Sequence, residues 1–268
     1  MHLQTEPRTP SNPTPTNTQT PTSTSTTTPK QKHLYFAYGS NLSPSQMSTR
    51  CRSNPASSIP LAIAFLPHWR WLICQAGYAN VLPPAGVGLR TGKQLSKAAD
   101  EVPVSSPGWN GMDGVYGILY ELDPVDEGVL DGFEGVDFDA PLAGKEGLEG
   151  GEGEDEVDVS PRIRPREQGL GAYNKWFLGA RVVKWLAGSG SGSEGDVLRA
   201  RHQVRQPQDN ADTEEVDVLV YVDENRIVVG PPKLEYIGRM NRAIKECAEL
   251  GVDEGWIEGV MRRFIPKE

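Results

Sequence analysis

Residues 33–44, His33-Leu34-Tyr35-Phe36-Ala37-Tyr38-Gly39-Ser40-Asn41-Leu42-Ser43-Pro44, hold a strand, a break and a helix start in one short stretch. His33–Tyr38 is an aromatic and aliphatic run of strand type. Gly39 ends it, and Ser43-Pro44 supplies an N-cap and a first-turn proline for a helix running to about Arg52. At such a glycine the backbone can approach a ligand closely, with amide N–H groups left to point outward. That turn can hold a carboxylate or a developing oxyanion. The same residues also fit an ordinary strand end followed by a helix cap, and their types alone do not separate the two.

Working outward, Ile59–Leu66 and Trp69–Gln75 read as strands separated by Pro67, with Tyr78–Leu82 a further one. Residues 83–110 are punctuated by proline and glycine and read as loop. Val115–Leu122 is a strand, and Asp123-Pro124 caps a helix in which Val125, Val129 and Phe133 recur every fourth residue. Tyr173–Leu186 is strand-like. Val216, Val218, Val220 and Val222 alternate with Asp217, Leu219, Tyr221 and Asp223, the pattern of a half-buried strand. Pro231-Pro232 opens a long helix with Leu234, Ile237, Met240, Ile244 and Cys247 on its apolar side, ended near Gly251. Asp253 caps a last helix with Trp256, Ile257, Val260, Met261 and Phe264 inward. Strands come first and helices are interspersed and terminal, without regular βαβ alternation. The expected class is α+β with a small mixed, barrel-like sheet and flanking helices.

Composition sets the domain organisation. Twenty of residues 1–32 are Thr, Pro or Ser, so these read as a disordered tail. Residues 139–170 and 188–215 read as low-complexity inserts in a single domain spanning 33–268. What remains is roughly 180 residues, enough for one core without disulfides or metal. The net charge is −9, and residues 137–170 alone hold ten acids against four bases. The basic footprint of a nucleic-acid binder is missing, and the Arg162–Arg166 cluster reads as solvating its acidic neighbours. Cys51, Cys74 and Cys247 are odd in number and far apart, which points to a reducing compartment. His2, His33, His68 and His202 have no metal-site spacing. No apolar run approaches the ~20 residues of a membrane span, and no hydrophobic leader is seen. The expected location is cytoplasmic, with a small molecule as partner and neither nucleic acid nor membrane. Oligomeric state is not legible.

A second feature is Leu130-Asp131-Gly132-Phe133-Glu134-Gly135-Val136. Glu134 stands at a helix end between an aromatic residue and a glycine, where it can face a pocket, hold a raised pKa and accept a proton near neutrality. A solvated glutamate at a helix end fits the same residues. Asp131 is the nearby comparison if it faces solvent.

Tyr35–Leu42 resembles the motif that opens the γ-glutamylcyclotransferases. Val115–Tyr120 resembles the strand before that family's catalytic helix, and Leu130–Val136 the segment carrying its catalytic glutamate, which falls on Glu134. Pro231-Pro232 with Glu235-Tyr236 resembles the segment where a tyrosine helps hold substrate, which falls on Tyr236. The resemblance covers most of 33–137 and 171–265, and its specific parts are the first motif and the glutamate segment. Asn41 fits this branch rather than the glutathione-specific one, which usually has leucine after the Gly-Ser pair. The acidic insert after Val136 departs from the family pattern. The resemblance implies a mixed barrel with a cavity at one end, and conversion of a γ-glutamyl amino acid to 5-oxoproline and the free amino acid. It implies Glu134 as catalytic base, substrate contacts from Tyr35, Phe36, Ala37, Tyr38, Gly39, Ser40 and Tyr236, and neither metal nor cofactor. Action on γ-glutamylamines or glutathione, or a non-catalytic module keeping the pocket, are the alternatives.

Overall fold

The computed structural model describes residues 31–84, 114–143, 164–186, 192–206 and 213–268. The expected tail up to residue 30, most of the 83–110 loop and the middle of each expected insert lie outside the described residues. Gln31–Glu268 form one compact unit.

Five strands close into a barrel in the order β1 (His33–Ala37), β5 (Gly114–Leu122), β2 (Ala62–Pro67), β6 (Asn174–Trp185) and β7 (Glu214–Val222). Four of the pairings are antiparallel, and a parallel contact of Leu34 with Val218 and Tyr35 with Leu219 completes the ring. Closure gives each of the five barrel strands a neighbour on both sides. A separate hairpin of β3 (Arg70–Ile73) and β4 (Ala79–Leu82) stands beside it. The sheet is mixed and the fold α+β.

Helix α1 (Pro44–Arg50) starts where Ser43 accepts from the Gln46 N–H. Helix α2 (Pro124–Glu134) is capped by Asp123 and ends at Gly135, whose φ of 63° is the left-handed turn that glycine takes without steric cost. Helices α3 (Gly192–Arg201), α4 (Leu234–Leu250) and α5 (Glu254–Gly259) complete the set. Trp256 and Ile257 are buried from α5, and Met240, Ala243, Ile244 and Cys247 from α4. Among the described residues no helix is long and apolar enough to cross a membrane.

Several expectations are corrected. Val125, Val129 and Phe133 form the outer face of α2 and are 62%, 39% and 59% exposed, while Asp126, Leu130 and Asp131 are buried. The inward carboxylates have tertiary work: Asp126 accepts from the N–H groups of Ser53 and Asn54, each at 2.9 Å. Leu234, expected inward, is 88% exposed at the start of α4. The alternation in β7 holds only where Asp217 is exposed, because from Val218 to Val222 both faces are covered.

The described parts of both expected inserts carry tertiary contacts. Leu142 bridges Arg166, and buried Arg164 reaches Glu224 at 2.5 Å and Glu167 at 3.0 Å. Trp176 Nε1 and Asn174 Nδ2 donate to the same Glu224. Arg164 therefore does more than solvate acids, since it pins its segment to Glu224, just past the end of β7. In the other region, Arg201 and His202 converge on Glu121, and Arg205 bridges Glu215 at the start of β7.

Candidate active site

The cavity at one end of the barrel follows from where strands stop. β1 ends at Ala37, and Tyr38, Gly39 and the turn Ser40–Leu42 then cross the barrel mouth. The C-terminal end of α2 brings Glu134 to one side, and the first turns of α4 bring Tyr236 and Arg239 to the other. Tyr78 and Ala79 before and at the start of β4, Tyr173 before β6 and Tyr221 near the end of β7 fill the remaining wall. The enclosed volume is about 340 Å³. Glu134 is the one carboxylate among the lining residues, against the guanidinium groups of Arg50, Arg226 and Arg239.

Glu134 is held from one side. Its Oε1 accepts from Arg50 Nη1 at 3.1 Å and from Asn41 Nδ2 at 3.4 Å. Its Oε2 receives no donor from the described residues. Burial pushes the carboxyl above the ordinary carboxylate range, against the pull of Arg50 first and of Arg239 and Asn41 after it. The side chain is 18% exposed, so it meets the cavity rather than bulk water.

A chain of amides orders the adjoining wall. Asn41 Nδ2 also donates to the Tyr35 hydroxyl at 2.8 Å, and Gln46 Nε2 donates to Asn41 Oδ1 at 2.9 Å and Ser40 Oγ at 2.7 Å. Arg239 Nη2 donates to the same Ser40 Oγ at 2.9 Å while its guanidinium lies over the Tyr236 ring at 5.1 Å. Ser40 N–H points at the Tyr236 hydroxyl oxygen at 3.3 Å. Tyr35 and Tyr236 thus both accept, and neither O–H finds an acceptor among the described residues. Burial pushes the Tyr236 hydroxyl up to about 12 and that of Tyr35 higher still, so both stay protonated donors at neutral pH. The other phenols are committed: Tyr38 donates to the Tyr221 carbonyl, Tyr173 to the Ala79 carbonyl and Tyr221 to Asp131.

Of the residues singled out in the sequence, Tyr35, Tyr38, Gly39, Ser40, Glu134 and Tyr236 line this cavity together. Phe36 and Ala37 do not; both are fully buried in the barrel core, with Phe36 packed over Gly117. Gly39 has φ −109°, so handedness is not what it supplies. A Cβ there would come within 3.0 Å of the Tyr236 hydroxyl and 3.3 Å of Ala79 Cβ, so its contribution is space. The backbone N–H of Gly39 has no partner among the described residues, while that of Ser40 is already turned to Tyr236. Asp131 faces the interior, only 4% exposed, which corrects its reading as a solvent neighbour.

Arg50, Arg226, Arg239, Tyr173 and Tyr221 escaped the sequence reading. For Arg239 a signal existed, since it stands one helical turn after Tyr236 on the same face of α4. Arg50 and Tyr221 acquire meaning only when α1 and β7 meet at the barrel mouth.

No protein-family model and no curated protein matches the chain significantly. Two solved structures align with it at low similarity. YkqA from Bacillus subtilis is 14% identical, with 89% of this chain and 57% of that one covered and a TM-score of 0.44. A γ-glutamyl cyclotransferase specific to glutathione from yeast is 11% identical, with 84% and 90% covered and a TM-score of 0.42. The chain thus spans 57% of the length of YkqA.

Proposed function

We propose that this cavity cyclises γ-glutamyl compounds, releasing 5-oxoproline and the amine or amino acid bound to the γ-carbonyl. The observation that carries the reading is Glu134: a lone cavity carboxylate with a raised pKa, one oxygen held by Arg50 and Asn41 and the other free. In the reaction the substrate's α-amine nitrogen attacks its own γ-carbonyl carbon. A new C–N bond closes the five-membered lactam, and the bond to the leaving nitrogen breaks. Neither water nor an enzyme nucleophile enters the balance.

The α-amine has a reference pKa of ~7.7–8.0 and is mostly protonated at neutral pH. Glu134 Oε2 takes one proton from the ammonium, which frees the nucleophile, and returns it to the leaving nitrogen. The second proton, shed by the ring nitrogen after attack, follows by the same carboxylate, so the amine leaves as its cation and one group serves as base and then acid. The uncommitted hydroxyls of Tyr35 and Tyr236 and the Gly39 N–H are donors available to the α-carboxylate or to the oxygen that gains charge. Arg239, paired only at 3.4 Å with the exposed Glu235, is the cavity cation most available to an anionic substrate. Walls fixed by the Gln46–Asn41–Tyr35 hydrogen bonds hold the glutamyl chain folded, which supplies proximity.

The ion pair with Arg50 favours a second reading, in which Glu134 serves only to hold the arginine and the cavity binds without turnover. Release of 5-oxoproline from a γ-glutamyl dipeptide by the purified protein separates the two. Product formation supports the cyclotransferase, and tight binding without product supports the binding module.

A further inference from the structure

Phe133 and Arg50 line a second space besides the cavity. On its far side lies a neighbouring groove of about 600 Å³, whose remaining walls are Gln46, Thr49, Arg52, Val129 and Arg242. Its apolar part is the outer face of α2, where Val129 and Phe133 are exposed beside α1. Its polar part carries three guanidinium groups and no carboxylate. The Arg50 guanidinium stands over the Phe133 ring at 4.7 Å, so the boundary between the two spaces is itself a cation on an aromatic face.

Arg50 is committed to Glu134, Arg242 shares the field of Glu246, whose carboxyl it helps hold low, and Arg52 has only a carbonyl partner among the described residues. Arg52 donates to the Thr49 carbonyl at 2.8 Å and Arg242 to Gln46 Oε1 at 3.1 Å. Among the described residues no carboxylate comes within ion-pair distance of either. Glu246, a turn further along α4 from Arg242, has both oxygens occupied by Ser43 and Ser45. An amphipathic groove with excess positive charge, opening beside the proposed base, fits the part of a substrate that departs.

We infer that this groove receives the leaving half of the γ-glutamyl compound and selects for negative charge on it. This inference rests on the cyclotransferase reading and adds a substrate class to it. The glutamyl half occupies the cavity among Tyr35, Gly39 and Tyr236. The leaving nitrogen lies near Glu134, and the group beyond it passes Phe133 toward Arg52 and Arg242. A leaving amino acid or peptide with one or more carboxylates and an apolar portion matches both faces of the groove. A simple amine matches only the apolar one.

The test is 5-oxoproline release from three substrates of rising charge: γ-glutamyl-ethylamide, γ-glutamyl-alanine and γ-glutamyl-glutamate. kcat/KM is expected to rise along the series, with a ratio of the last to the first of roughly threefold to twentyfold, the size of one or two partly exposed ion pairs. That ratio should shrink with added salt and collapse toward unity in the double variant Arg52→Gln, Arg242→Gln. Both arginines are exposed, and a ratio taken within one preparation is insensitive to a partial loss of folded protein. Turnover of all three substrates with a ratio near unity, or a ratio the double variant leaves intact, overturns the groove assignment and spares the cyclotransferase. Absence of 5-oxoproline from every substrate overturns both.

Discussion

Asp131 and Glu134 stand three residues apart on α2 and face two different electrostatic regions. Asp131 belongs to a closed network under the cavity floor: its oxygens take the Tyr221 hydroxyl at 2.8 Å and Lys175 Nζ at 2.9 Å. Lys175 also reaches Glu127, which in turn meets His33 Nδ1 at 2.7 Å. Both Asp131 oxygens have partners, and Lys175 is shared between the Asp131 and Glu127 carboxylates. Glu134 has one oxygen partnered and one open to the cavity, and burial drives its pKa upward. A carboxylate whose acceptors are all used stabilises a fold, whereas one with a free oxygen and a raised pKa can exchange protons with a ligand. Two acids of similar kind on one helix thus differ in how fully their oxygens are used.

The largest effect that would break this contrast concerns turnover. Glu134→Gln keeps the shape and can still accept from Arg50, but it cannot take a proton. kcat for 5-oxoproline release is expected to fall by ~10²–10⁴ with a much smaller change in KM. Stability should move the other way. Because the folded pKa of Glu134 is raised, its ionisation costs stability as pH rises from the unfolded carboxylate range through the folded value. The amide avoids that cost, so the melting temperature at pH 7 should hold or rise slightly.

Asp131→Asn is expected to show the reverse pattern. It leaves Lys175 with only Glu127 and weakens the acceptor for Tyr221, a loss of about 1–3 kcal/mol in chemical denaturation. Its kcat should change far less than that of Glu134→Gln. Equal stability losses in the two variants would erase the distinction between the regions.

How much of this division is legible in the sequence follows from the same residues. The strand–glycine–cap stretch at 33–44 is read correctly because its signals are local: an aromatic and aliphatic run, a break and a Ser-Pro start. Glu134 is singled out by its place at a helix end next to glycine, and the left-handed turn at Gly135 fixes that place. The facing of α2 is not legible. Val125, Val129 and Phe133 give a regular apolar stripe, yet Asp126 and Asp131 turn inward because distant groups need acceptors: the N–H groups of Ser53 and Asn54, Tyr221 and Lys175. Hydrophobic periodicity assumes that the buried face is apolar, and this helix violates the assumption. Arg164 is hidden by its acidic surroundings, since composition cannot reveal that Glu224 waits for it across the fold.

Smaller effects sharpen the comparison outside the cavity. Glu121 is paired like Asp131, and His202 first, then Arg201 and Lys32, hold its carboxyl down to about 2. A lowered folded pKa stabilises above the unfolded carboxylate value, and that stability is lost as pH falls toward 2. The melting temperature of Glu121→Gln should therefore lie below wild type at pH 7, with the gap closing as the pH approaches 2. A gap independent of pH would mean that the carboxylate's charge contributes nothing. Removing residues 1–30 should matter least. Lys32, which reaches Glu121 at 3.2 Å, is retained, and a Thr-, Pro- and Ser-rich segment has little apolar surface to bury. The truncated protein is expected to match full-length kcat/KM; a large loss would show that the segment contributes to the site.

The central claim is that Glu134, poised between burial and Arg50, exchanges the proton in the reaction. kcat/KM on a γ-glutamyl dipeptide, followed from pH 4 to 9 in wild type and in Arg50→Gln, tests it most directly. Two ionisations should appear. One belongs to the substrate amine and stays in place. The other, assigned to Glu134, lies above the ordinary carboxylate range and moves further up when Arg50, which lowers it, is neutralised. An acid limb that stays where it was in Arg50→Gln, or a profile explained by the amine alone, would contradict the account.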